Sequence, residues 1–128
     1  MILADTSIVV EFLRTRNARL QSLIVSSPAA VNGVTRAEIL HGARDSQHRA
    51  KLIAALNLFQ QIAFPDTLWD EAGDHLAALR AAGVTVPFAD ALLATVAIAN
   101  NLELWTRDLH FSQMQRILPK LRLFTEPL

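Results

Sequence analysis

A chain of 128 residues with 52% hydrophobic and 19% charged residues is sized for one packed domain, residues 1–128, that needs no covalent staple. It has no cysteine, which excludes disulfides, thiolate metal sites and cysteine nucleophiles and suits a reducing cytoplasm. Twelve Lys and Arg balance twelve Asp and Glu, so any nucleic-acid function must come from local charge or from cations that the chain recruits.

Met1 leads straight into Ile2-Leu3-Ala4-Asp5, without the basic segment and apolar run of a signal peptide. No apolar stretch is long enough to span a bilayer, so a cytoplasmic protein without membrane attachment is expected. Residues 2–4 read as a first strand. Ile8, Val9, Phe12 and Leu13 then recur at helical spacing, and a second helix is expected over 17–26 with Leu20, Leu23 and Ile24 inward. Residues 29–32 form a candidate second strand, and Gly33 turns the chain into a helix over 35–43. A helix over 47–60 and a short strand over 62–64 follow, the strand stopped by Pro65. The spacing of Leu68, Ala72, Leu76 and Leu79 predicts a helix over 67–82 with Gly83 just past its end. Residues 88–100 are apolar nearly all round and predict a central helix. A strand over 103–105, a short helix over 111–118 and a last strand over 121–124 complete the chain. This alternation predicts an α/β fold with a parallel sheet, whose ligand site lies beyond the carboxyl ends of the strands.

Four acids are candidates for that site, three of which follow apolar strands or open the buried helix. Asp5 directly follows the first strand, and it reads equally as the N-cap of the next helix. Glu38 closes Thr35-Arg36-Ala37-Glu38, a capping box, and on its own capping is the better reading. Asp90 opens the apolar helix, where a charge is costly unless paired or metal-bound. Asp108 follows the fourth strand and reads alone as a turn aspartate. Together they are harder to dismiss. Clustered carboxylates repel, and a hard, oxygen-preferring cation such as Mg²⁺ removes the repulsion and serves phosphodiester hydrolysis.

In order and spacing, four segments resemble PIN domains of the VapC toxin type: Met1-Ile2-Leu3-Ala4-Asp5-Thr6-Ser7, then Thr35 to Gly42, Val86 to Ala94, and Leu104 to Phe111. The resemblance covers nearly the whole chain. It implies a PIN-like three-layer sandwich, a five-stranded parallel sheet flanked by helices on both faces. It implies a toxic endoribonuclease using Mg²⁺, with Mn²⁺ as a substitute, neutralised by a cognate VapB-type antitoxin. Carried over by position, Asp5, Glu38, Asp90 and Asp108 are the catalytic and metal-binding acids, with Thr6, Ser7 and Thr106 as hydroxyl partners. Some members carry a further acid at the position of His110, so a second metal is expected to bind weakly or only with substrate. Apolar helices beyond what one small sheet needs, with the resemblance, predict a homodimer.

The alternative is a catalytically silent PIN-like module that binds RNA or protein; the intact acid set argues against it. Arg36 and Arg107, beside the acids, are candidates for RNA backbone contacts. Arg14, Arg16 and Arg19 either guide phosphate or solvate a helix end. His48 and His75 read as surface residues, His110 as a helix-start residue that could instead touch the site or the scissile phosphate, and Trp69 and Trp105 as packing residues.

Overall fold

Ile2-Leu3-Ala4 forms β1 (Ile2–Ala4), and Asp5 stops it by capping the next helix, its carboxylate accepting from the Ile8 N–H at 3.2 Å. The order is then α1 (Thr6–Arg14), α2 (Ala18–Ser26), β2 (Ala29–Asn32), α3 (Gly33–His41), α4 (Ser46–Leu56) and β3 (Gln60–Ile62). A 3-10 turn at Asp66–Leu68 leads into α5 (Trp69–Ala81), α6 (Phe88–Ala99), β4 (Glu103–Trp105), α7 (His110–Ile117) and β5 (Arg122–Leu123). This computed structural model describes residues 1–15 and 17–128; Arg16, one of the clustered arginines, lies outside the described residues.

The strands form one parallel sheet in the order β3-β2-β1-β4-β5. The chain builds outward from β1 to β3, then crosses back to lay β4 on the other side of β1. The crevice beyond the carboxyl ends of β1 and β4 is therefore the point where strand order reverses, the place at which open α/β sheets hold ligands. Ala4 pairs with Trp105, and the Asp5 N–H donates to the Trp105 carbonyl at 3.0 Å, so Asp5 and Thr106 leave adjacent strands side by side.

Alternate strand residues feed opposite layers. Ile2, Ala4, Val31 and Trp105 pack with Ile8, Val9, Leu20, Leu52 and Leu56 from α1, α2 and α4. Leu3 and Leu104 face the other way, onto Leu79, Leu93, Val96, Phe111 and Met114 of α5, α6 and α7. The expected three-layer α/β sandwich is what the chain forms. Gly83 ends α5 at φ 75°, with Gly83 N–H donating to the Arg80 carbonyl and Val84 N–H to the Leu79 carbonyl, the paired bonds of a Schellman motif. Among the described residues, no helix is long and apolar enough to cross a membrane.

Several local expectations are corrected. The Thr35–Glu38 capping box does not form: Asn32 caps α3 first, accepting from the Val34 N–H at 2.9 Å, so Thr35 falls inside the helix, fully buried. The helix expected over 47–60 ends at Leu56, and the third strand pairs through Gln60–Ile62 rather than 62–64. Ile62 and Phe64 still contribute their side chains to the second core. Trp69 is 47% exposed, lying against Phe64 instead of inside the core. His48 and His75 are half-buried; His75 Nδ1 lies 2.8 Å from the Thr95 hydroxyl, and His48 Nδ1 accepts from the Arg44 N–H.

Candidate metal centre

Asp5 is only 4% exposed, yet its carboxylate is well served. Oδ1 accepts from the Ser7 hydroxyl and the Ile8 N–H, and Oδ2 from the Thr106 hydroxyl. The same hydroxyls reach onward. Ser7 accepts from the Arg107 N–H at 2.9 Å, and Thr106 accepts from the Asp108 N–H at 2.8 Å. Two side chains thus stitch the end of β1 to the loop after β4 and fix where Asp108 stands. Asp5 forms the cap, and the cap leaves its carboxylate at the sheet edge where the site is expected, so the two readings of Asp5 are compatible.

Asp90 enters from the first turn of α6, where the helix dipole favours an acid. Among the described residues its Oδ2 is buried without a hydrogen-bond partner, with His110 Nδ1 standing 3.6 Å away. An orphaned buried carboxylate oxygen is rare, since burying such an atom costs free energy unless something pairs with it. Burial first, then the charges of Asp108 and Asp5, push the Asp90 carboxyl above its ordinary range, against the pull of His110. Burial also raises Asp5, with the bonds from Ser7 and Thr106 offsetting only part of it.

Asp90, Asp108 and His110 each offer a ligand atom, all within 4.8 Å of one another. Asp5 borders this group closely enough to raise Asp90. Glu38 stands exposed at the margin, where its Oε1 accepts from the Thr6 hydroxyl at 2.8 Å. The fold brings Asp5, Asp90 and Asp108 to one sheet edge with the Ser7 and Thr106 hydroxyls, Thr6 lies with Glu38 at the margin, and His110, the first residue of α7, also reaches the acids. The two candidate arginines are engaged elsewhere. Arg107 pairs with Glu11 at 2.8 Å and with Glu126, and Arg36 reaches Gln61 at 3.4 Å. Arg107 therefore ties the C-terminal segment to α1.

A group of carboxylate oxygens with one orphaned, two acids raised by burial and an imidazole nitrogen alongside suits a divalent cation. The raised acids carry a pH signature. Asp5 and Asp90 hold their protons more tightly folded than at the unfolded value of 3.8, so their contribution favours folding below that value and is lost as pH rises through the raised values. With chelator present, Asp90→Asn is expected to gain melting temperature relative to wild type as pH climbs from about 4 to 7, and added cation should narrow the gap. A gap that shrinks with rising pH in chelator would contradict this.

Thr106→Val keeps the shape but removes the donor to Asp5 and the acceptor for the Asp108 N–H. Loss of such outer hydrogen bonds is expected to cost about 10- to 100-fold in metal affinity. Thr106→Ser should retain most of it; wild-type affinity in Thr106→Val, measured by calorimetry, would mean that the hydroxyl does not matter to the site.

The PIN domain family model matches residues 2–117. The chain is 35% identical over 109 residues to Ribonuclease VapC32 of Mycobacterium tuberculosis, spanning 84% of this chain and 85% of that protein. In fold it is similar to a chain of DNA-bound VapBC from Salmonella typhimurium, with TM-score 0.82, 18% identity and 96% of each chain covered. It is also similar to a chain of promoter-bound VapBC2 from Rickettsia felis, with TM-score 0.80, 22% identity, and 97% of this chain and 98% of that one covered. The chain, with its acids gathered where β1 and β4 diverge, belongs to the PIN-domain family.

Proposed function

We propose that this chain, a single PIN domain over residues 1–128, is the toxic component of a type II toxin–antitoxin pair. It acts in the cytoplasm as a Mg²⁺-dependent endoribonuclease, with Mn²⁺ as a substitute, and a VapB-type antitoxin neutralises it. The observation that carries the reading is the orphaned Asp90 oxygen among Asp5, Asp108 and His110 at the strand-order reversal, in a relative of a named ribonuclease. Asp5, Glu38, Asp90 and Asp108 are the catalytic and metal-holding acids. When bound, a divalent cation supplies charge neutralisation at a phosphodiester. The chain's part is orientation: Ser7 and Thr106 lock Asp5, Thr106 fixes the backbone of Asp108, and Thr6 holds Glu38 at the edge where an RNA strand enters.

A groove of about 440 Å³ opens beside Thr6 and Glu38, lined by the apolar Val10, Leu13, Ile39 and Leu52 and completed by Gly42, Arg14, His48 and Lys51. It supports the seating of an antitoxin segment that directs a basic side chain at the acids. We also propose a homodimer, which would line two sites along one groove and gather cationic side chains that a neutral chain spreads thinly. A clean monomer near 14.1 kDa by light scattering at micromolar concentrations would contradict the dimer. The function itself is tested with purified, antitoxin-free protein on total RNA and on DNA, with Mg²⁺ or chelator. RNA cleavage that requires the cation and stops on adding antitoxin is expected. Cleavage indifferent to chelator, or of DNA alone, would overturn the reading.

A further inference from the structure

His110 is the first residue of α7, and its position is set by the acid before it: the His110 N–H donates to Asp108 Oδ1 at 3.0 Å. The ring lies over the same acids, with Nδ1 3.1 Å from Asp108 Oδ1 and 3.6 Å from the orphaned Asp90 Oδ2. These separations have a simple meaning. Ligand atoms bonded at about 2.1 Å to one cation sit about 3.0 Å apart when cis in an octahedron and about 3.4 Å apart in a tetrahedron. Nδ1 stands from Asp108 Oδ1 as a neighbour on one coordination shell does, and Asp90 Oδ2 lies a few tenths of an ångström beyond that spacing. All three ligand atoms lie within 4.8 Å of one another, so small side-chain adjustments bring them onto one cation. With its side chain 47% exposed, the ring has room to turn onto a cation without disturbing the core.

We infer that His110, through Nδ1, is a ligand of the cation held by Asp90 and Asp108, and that it sets which cation the site prefers. This rests on the acidic metal site proposed above. Mg²⁺ demands oxygen ligands, whereas imidazole suits later divalent cations such as Co²⁺, Ni²⁺ and Zn²⁺. A neutral nitrogen in place of one more oxygen therefore tilts the site away from Mg²⁺ and toward cations that accept imidazole.

Affinity for Co²⁺ exceeds that for Mg²⁺ at most sites, so the informative quantity is how the ratio changes on removing the ring. If His110 only offers positive charge to the acids, removing it strengthens every cation alike, because a competitor has gone. If it is a ligand, removing it weakens Co²⁺ far more than Mg²⁺. The test is calorimetric titration of the purified, metal-free full chain with Mg²⁺, Mn²⁺ and Co²⁺, for wild type, His110→Ala, His110→Asp and Asp90→Asn. His110→Ala is expected to lose about tenfold or more in Co²⁺ affinity while Mg²⁺ changes by less than about threefold. His110→Asp should strengthen Mg²⁺ relative to Co²⁺. Pulsed electron resonance on bound Mn²⁺ should show imidazole nitrogen coupling in wild type and none in His110→Ala. An unchanged Co²⁺ to Mg²⁺ ratio in His110→Ala, or equal gains for both cations, would overturn the assignment. If Asp90→Asn loses all three cations while His110→Ala loses none, His110 is no ligand and the acidic site stands. If neither variant changes binding, the acidic site falls as well.

Discussion

Asp90→Asn is expected to reduce RNA cleavage by several orders of magnitude while leaving the metal-free protein at least as stable as wild type. The side chain keeps its size and its place in the first turn of α6, so packing is undisturbed. What it loses is charge. In the wild-type protein that charge is held against burial, Asp108 and Asp5, the causes that raise its carboxyl. Removing it relieves repulsion in the metal-free state. The same removal weakens the site for a hard cation, on whose charge neutralisation phosphodiester hydrolysis depends. Stabilisation by added Mg²⁺ should shrink in parallel, since ligand-linked stability follows affinity. Melting temperatures with and without Mg²⁺, together with cleavage rates, decide it. A variant that cleaves at near wild-type rate would remove Asp90 from the mechanism.

Trp105→Ala carries the largest expected cost in stability. The indole is 1% exposed, packs edge-on to Phe124 with ring centroids 5.1 Å apart, and donates from Nε1 to Glu126 Oε1 at 2.9 Å. Truncating a buried aromatic of this kind costs about 3–5 kcal/mol, against a total of roughly 5–15 kcal/mol for a domain. With a urea dependence of about 2 kcal/mol per molar, the midpoint should fall by roughly 2 M. Trp105→Phe keeps most of the packing, loses the bond to Glu126, and should cost only about 1 kcal/mol. The site feels the change too, because the Asp5 N–H donates to the Trp105 carbonyl and Thr106 follows directly. A midpoint shift below about 0.5 M for Trp105→Ala would show that this face of the sheet does not need its largest side chain.

The parts of the molecule legible in the sequence are those where one physical signal dominates. Ile2-Leu3-Ala4 before a capping Asp, the apolar run of α6 and Gly83 after α5 each permit one local structure, and these elements fall close to their expected bounds. The meeting of three candidate acids was legible because they follow strands β1 and β4 or open α6, and strand order then brings them together. Failures arose where two signals competed. Asn32 and Thr35 are both good caps, and Asn32 won because β2 ends there and its side-chain amide also donates to the Ile62 carbonyl. In 60–64 the apolar residues mark burial, but backbone pairing runs through Gln60 and Gln61 on an edge strand, which tolerates polar side chains. Arg107 beside an acid looks like a phosphate contact. Only the fold reveals Glu11 and Glu126, far from it in sequence, already paired with it. His110 does start α7, as its place in the sequence suggests; its proximity to Asp90 spans twenty residues and exists only once α6 and α7 pack on the same sheet face.

The central claim, that these acids hold a divalent cation, is tested most directly by titrating Mn²⁺ into wild-type protein and into a variant carrying Asp5→Asn, Glu38→Gln, Asp90→Asn and Asp108→Asn together. The substitutions conserve shape, and a matching circular dichroism spectrum verifies the fold. Saturable binding in wild type that disappears in the variant is the predicted result; equal binding by both proteins would contradict it.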